Sequence, residues 1–258
     1  MQDLNFDIVT VLLLTFILFL IIVLRYFIIS GAYYYITFVL LRKLMGNRIL
    51  DKSRVAKRQI RSEIYYSVVS AIIFAVFGIG TYWLWYKGHT AVYEDLNAFP
   101  IWYLPISVFL VLFIQDTYYY WIHRWMHWPL VYKYFHKVHH NSVHTSVWTS
   151  FSFHPLETLL QAVILPLIVL WLPLHTYAIL AILIIMTISA TINHAGVEVY
   201  PKGKYGNWVG QLIIGATHHD VHHRKFLCNY GLYFTFWDRW MRTERELDEK
   251  KAPRKQYS

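Results

Sequence analysis

The chain has 258 residues, 57% of them hydrophobic, 19% aromatic and only 15% charged. A water-soluble fold of this length would need a very large core to bury so much apolar surface, so the composition argues for a membrane protein. The formal net charge of +9 would raise nucleic acid as a partner of a soluble domain. Here the basic residues gather beside apolar runs, where Lys and Arg mark the cytosolic side and meet anionic headgroups, so no nucleic-acid partner is expected.

In chain order, the first apolar run extends from Ile8 to Leu41 and carries no charge except Arg25. It exceeds the roughly 20 residues a helix needs to cross a bilayer, so part of it is expected beyond the hydrocarbon. Acidic residues, Asp3 and Asp7, precede it and no small-residue cleavage site follows, so it reads as a retained anchor. Next come Arg42, Lys43, Arg48, Lys52, Arg54, Lys57, Arg58 and Arg61 against one acid, Asp51, a cytosolic-side signal.

A second span is predicted from about Ile64 to Trp85, then a short loop with Glu94 and Asp95, and a third span from about Pro105 to Tyr120. The apolar stretch from Leu159 to Ile192 breaks at Trp171-Leu-Pro-Leu-His175, predicting two short helices joined by a turn, with both outer ends on one face. This topology delivers His123 to His154, His194 and the segment from Tyr200 onward to one compartment, read as cytosolic. Arg224, Lys225, Arg239, Arg242, Lys250, Lys251, Arg254 and Lys255 agree with that side. The expected division is an anchor over 1–100, a catalytic domain of membrane helices and cap over 101–245, and a basic tail over 246–258.

Most of the 14 histidines lie in three boxes: His123 with His127, His136 with His139 and His140, and His219 with His222 and His223, preceded by His218. At ~100° per residue, positions i, i+3 and i+4 of a helix share one side, so each box is expected to aim its imidazoles at a common spot. Eight converging imidazoles without a cation would leave unpaired nitrogens or mutually repelling charges out of reach of water. A metal resolves that conflict. Cys228 is the single cysteine, so thiolate clusters and internal disulfides are excluded, and the His-Glu-x-x-His pattern of hydrolytic zinc sites does not occur. The imidazole count suffices for two ions, although spacing alone does not fix the element.

These boxes, with Asn193-His194-x-Gly196 between the second and third, resemble the fatty acid hydroxylase / sterol desaturase superfamily. Phe153-His154-Pro155-Leu156-Glu157, Asn229-Tyr230-Gly231 and Trp237-Asp238-Arg239 extend the likeness across roughly Pro105 to Thr243. The resemblance implies an all-α, integral-membrane helical bundle with a cytosolic histidine-rich cap holding a di-metal site. Carried over by position, the expected ligands are His123, His127, His136, His139, His140, His194, His219, His222 and His223. Some members carry another histidine where this chain has Ala190, which leaves His218 and His144 as candidates for a tenth. His154, Glu157 and Asp220 are expected to orient ligand imidazoles, whereas His89 and His175 fall in loops without a functional role.

The implied chemistry is hydroxylation or desaturation of a lipid (a sterol, fatty acyl or sphingoid chain, ether lipid or carotenoid) by two Fe2+ ions, with O2 as co-substrate. No Gly-x-Gly-x-x-Gly sequence occurs, so electrons are expected from an external NAD(P)H-linked carrier, cytochrome b5 or a ferredoxin type. An endoplasmic reticulum or bacterial inner membrane fits equally, with the site on the cytosolic face. A zinc-dependent membrane hydrolase and a membrane metal transporter are the competing classes.

Overall fold

The computed structural model describes residues 6–50, 55–201 and 208–246. Asp3, the basic-segment residues 51–54 and nearly all of the expected tail (247–258, with Lys250, Lys251, Arg254 and Lys255) lie outside the described residues.

Helix α1 (Ile8–Tyr34) opens at Asp7, whose carboxylate accepts the Thr10 N–H at 2.8 Å, as an N-cap should. A π-helical turn over Tyr35–Leu40 prolongs it before the short α2 (Arg42–Met45). Helix α3 (Lys57–Tyr86) returns across the same thickness. The two pack closely at Gly78, where a Cβ would meet Leu18 Cδ2 at 2.6 Å; a small residue is what lets helices approach in lipid. The outward faces stay apolar, with Ile8 71% and Leu12 62% exposed, because their solvent is the hydrocarbon.

Among the described residues three helices are long and apolar enough to cross a bilayer: Ile8–Leu40, Lys57–Tyr86 and Thr176–His194. The predicted third span is present as α4 (Tyr103–Met126) but falls outside that group. Its polar residues point inward, Gln115 and Asp116 being buried, so its low apolarity reflects what it holds and not exposure to water. It runs between the same two levels as its neighbours: Tyr103 Oη donates to the Pro173 carbonyl at one end, and His123 lies at the other.

The broken apolar stretch forms α7 (Pro155–Val169) and α8 (Thr176–His194). Between them, β2 (Leu174–His175) pairs in parallel with β1 (Val92–Tyr93) of the α3–α4 loop, in the register Val92↔Leu174 and Tyr93↔His175. This short pairing closes the far end of the bundle over Val111, Ile168, Val169, Leu172 and Ile182. His175 takes part in that closure. It is buried, its Nδ1 accepts the Tyr177 N–H at 3.0 Å to cap α8, and its Nε2 donates to the Glu94 carbonyl.

At the opposite end, α5 (Pro129–Phe135), α6 (Lys137–His140), a 3-10 turn (Val147–Phe151), α9 (Ala216–Lys225) and α10 (Phe236–Trp240) build the cap. The anchor helices reach into it. Tyr26 Oη donates to the Trp148 carbonyl at 2.8 Å, Arg48 donates to the Val199 and Tyr200 carbonyls, and Ser70 Oγ lies 2.9 Å from Thr158 Oγ1.

Candidate metal centre

Nine buried histidines form two adjacent groups, each with ligating nitrogens within 4.8 Å of one another: His123, His127, His136, His140 and His222 in one, His139, His194, His219 and His223 in the other. The single-spot expectation holds for the first box, whose His123 and His127 both join the five-histidine group, and is corrected for the other two. In the second box, His136 and His140 serve the five-histidine group while His139 turns to the four-histidine group. In the third, His219 and His223 serve the four and His222 the five. The helix explains the division: i and i+4 lie about 40° apart, whereas i+3 is about 100° from i+4 and faces the neighbouring group.

Five of the outer ring nitrogens stand against oxygen acceptors, whereas His140 Nδ1 and His223 Nδ1 are buried without a partner among the described residues. Nδ1–H of His123 donates to the Tyr230 carbonyl at 2.8 Å, of His139 to Ser152 at 3.2 Å, of His194 to Ala190 at 2.7 Å and of His222 to Cys228 at 2.7 Å. His136 Nδ1 meets Glu157 Oε1 at 2.9 Å. A carbonyl only accepts, so a neutral ring bound this way carries its proton on Nδ1 and turns a bare lone pair inward on Nε2.

Those lone pairs face each other. His139 Nε2 and His194 Nε2, both left bare by carbonyl-bound Nδ1–H groups, are 3.1 Å apart in one group, and in the other the His123 Nε2 lone pair lies 3.0 Å from His136 Nε2. His219 Nε2 stands 2.9 Å from His194 Nε2, and His127 Nε2 is buried with no partner among the described residues. Each unpaired buried nitrogen costs about 1–3 kcal/mol, and opposed lone pairs add repulsion. Protonation does not relieve the conflict. Burial, reinforced by neighbouring imidazoles, holds His127, His139, His140, His219 and His223 well below the usual histidine range. Burial likewise pushes His136 and His222 down to about 3. The donor set therefore fits two cations that accept neutral imidazole.

The remaining predicted residues fall around this centre. His154 Nδ1 accepts the Leu156 N–H at 3.2 Å and caps α7, which brings Glu157 onto His136. Asp220 pairs with Arg224, Nε to Oδ2 2.8 Å, along α9. His218 and His144 lie outside both groups. His218 Nε2 is 3.8 Å from Asp238 Oδ2, and burial pushes its imidazole down to about 4, so this contact is no ion pair near neutrality. The His144 carbonyl accepts from Gln59 Nε2.

Three carboxylates, of which the sequence had offered only Asp238 and that without a role, support the loops around the histidine groups. Asp238 accepts the Tyr230 and Gly231 N–H groups at 2.8 and 2.9 Å, presenting the Tyr230 carbonyl to His123. Gly231 has no room for a side chain there, since a Cβ would meet the Phe234 carbonyl oxygen at 2.6 Å and Ile214 Cδ1 at 2.7 Å. Asp116 Oδ1 takes the N–H groups of Leu232, Tyr233 and Phe234. Glu63 accepts from Gln59 Nε2 and Ser142 Oγ at 2.7 Å each, Ser146 Oγ at 2.6 Å and Thr149 Oγ1 at 3.0 Å. Charges inside or beside apolar spans were the available signal.

The fatty acid hydroxylase family model matches residues 108–243, a stretch that carries all nine grouped histidines. The chain belongs to the fatty acid hydroxylase family. Human (Homo sapiens) lathosterol oxidase is 30% identical over 216 residues, covering 83% of this chain and 68% of its own length. A Delta(7)-sterol 5(6)-desaturase of Gibberella zeae is 29% identical over 209 residues, 80% of this chain and 63% of that protein. Another from Schizosaccharomyces pombe is 28% identical over 164 residues, 64% and 47% respectively. No solved structure matches. As a member of the fatty acid hydroxylase family, the chain is an integral-membrane oxidoreductase of the lipid-modifying kind, and neither the hydrolase nor the transporter reading finds support.

Proposed function

We propose that the protein is an O2-dependent di-iron lipid desaturase or hydroxylase, with a sterol as the first candidate substrate. The observation that carries this reading is the convergence of inward Nε2 lone pairs, those of His123 and His222 in one histidine group and those of His139 and His194 in the other. His123, His127, His136, His140 and His222 would hold one ion, and His139, His194, His219 and His223 the other. Held there, two ferrous ions would supply the dioxygen chemistry needed to attack an unactivated carbon, which imidazole donors alone cannot do.

The chain's own part is positioning and exclusion of water. Backbone carbonyls and Glu157 fix ring tautomers before a metal arrives. Phe153, 5.1 Å from the His139 ring, and Tyr230, 5.6 Å from the His123 ring, wall the centre with apolar surface. The catalytic unit, taken as 101–245, is braced by the preceding anchor helices and does not stand apart from them. Sterol chemistry is suggested by what the relatives are called, lathosterol oxidase and sterol 5(6)-desaturase. The basic segment beside α3 supports a cytosolic centre, and an external NAD(P)H-linked carrier such as cytochrome b5 or a ferredoxin would deliver electrons.

Anaerobic purification with elemental analysis, paired with lipid mass spectrometry of a host expressing wild type or His139→Ala, tests the reading. The expected result is about two irons per chain and a lipid mass change of roughly −2 or +16, both diminished in the variant. Iron-free protein with full activity, or lipid turnover that persists without oxygen, refutes it.

A further inference from the structure

The two histidine groups differ in what stands between them and the surface. The four-histidine group is walled by Phe153, which is only 5% exposed. Over the five-histidine group lie two half-buried rings, Tyr132 and Phe226, 5.9 Å apart. Tyr132 stands 5.8 Å from His127, 6.4 Å from His136 and 5.9 Å from His140. Phe226 is 4.6 Å from His140. Among the described residues, no other partly exposed aromatic ring is in ring contact with either group.

Phe226 is also held in a costly conformation, at φ 67. A bulky residue in the left-handed region is an outlier that surrounding structure must enforce, and such strain gathers at functional sites. Its N–H donates to the His222 carbonyl at 2.8 Å, so the strained turn lays the ring onto the ligand cluster. The chain segments that carry the two rings, 128–141 and 224–230, present apolar and basic side chains and contain no acidic residue. Leu130 is 86% and Leu227 65% exposed, and Lys133 and Lys137 are exposed on the helices that carry Tyr132 and the second box.

We propose that this face is where a soluble, acidic one-electron carrier docks, and that electrons enter the five-histidine group across Tyr132 and Phe226. The proposal rests on the di-iron reading above. An apolar contact ringed by one sign of charge suits a transient partner of the opposite sign, because charge guides encounter and the small apolar centre lets the complex part again. Formation of one C=C bond consumes one O2, two protons and two electrons, and releases two waters. The electrons come from two carrier molecules, each oxidised by one electron.

The test uses the full chain, iron-loaded in lipid nanodiscs, and two reductants: a pre-reduced acidic b-type cytochrome domain, and dithionite, which needs no docking surface. Lys133→Glu with Lys137→Glu should slow reduction by the cytochrome about ten-fold at low salt, with the deficit shrinking as salt rises. Iron content and reduction by dithionite should stay unchanged. Lys87→Glu, on the far end of the bundle, should change neither rate. Phe226→Leu keeps the rim and removes the ring, and should slow the cytochrome reaction without altering its salt dependence. An unchanged cytochrome rate in the double variant overturns the proposal, as does an equal fall with both reductants, the outcome expected if this face meets lipid instead. Wild type that dithionite cannot reduce refutes the di-iron reading itself and is thereby told apart from a failure of docking.

Discussion

Replacing Glu63 with alanine removes the acceptor of four hydrogen bonds, three of which tie α3 to residues 142–149 while the fourth, from Gln59, stays within α3. Bonds to a charged acceptor are each worth about 1.5–3 kcal/mol, and freed hydroxyls recover part of that by turning to other acceptors. The net loss expected is about 3–5 kcal/mol, the range seen when a buried charge network loses its centre. At roughly 2–4 °C per kcal/mol for a chain of this size, the apparent melting temperature in detergent should fall by about 10 °C. The injury should be local as well, because the same segment leads to Ser152, whose carbonyl orients His139. Hydrogen exchange should therefore quicken across 142–152, and metal content should fall first in the four-histidine group. Glu63→Gln retains one carbonyl acceptor and should lose about half as much. A melting temperature within about 2 °C of wild type, with exchange at 142–149 unaltered, would refute the view that this carboxylate holds the loop.

His219→Ala should cost the protein one metal ion while His218→Ala leaves metal content at the wild-type level, measured by elemental analysis; equal losses would contradict the division of the two groups. Gly231→Ala drives a Cβ into the Phe234 carbonyl, and displacement of the Tyr230 carbonyl from His123 should lower stability by about 2–3 kcal/mol and loosen metal in the five-histidine group, read by chelator release rate. Metal-free protein should weaken steeply in acid. His136 and His222 stay neutral when folded down to about pH 3, whereas the unfolded chain protonates them near pH 6.5. The unfolded state then binds more protons, so stability present above that pH drains away on acidification, by roughly 1.4 kcal/mol per pH unit for each such ring. Denaturant midpoints that are flat between pH 7.5 and 5.5 would contradict this.

The sequence made the membrane helices and the histidine boxes legible for a physical reason. A bilayer demands a long apolar run, and ligands on one helix must recur at i+3 or i+4. The Pro-marked turn at residues 171–175 and the helix start at His154 were readable from local chemistry too. What stayed hidden depends on partners far along the chain. Glu63 contacts residues 79 to 86 positions away, and Asp116 residues 116 to 118 away. No periodicity announces such pairs. The assignment of His175 to a loop without a role missed its buried capping bond, because two-residue strands give no pattern to read. The division of the second and third boxes between two groups was implicit in helix geometry, but required knowing that a second centre lay beside the first.

That division has a consequence for how the centre fills. The segment 136–140 and the helix α9 each offer two rings to one group and a third ring to its neighbour, so a first ion bound there would clamp both segments and place donors for a second. Loading should be cooperative, with singly occupied protein scarce at intermediate metal. It also means that neither ion can be redesigned alone: any substitution that re-aims one of these helices disturbs both.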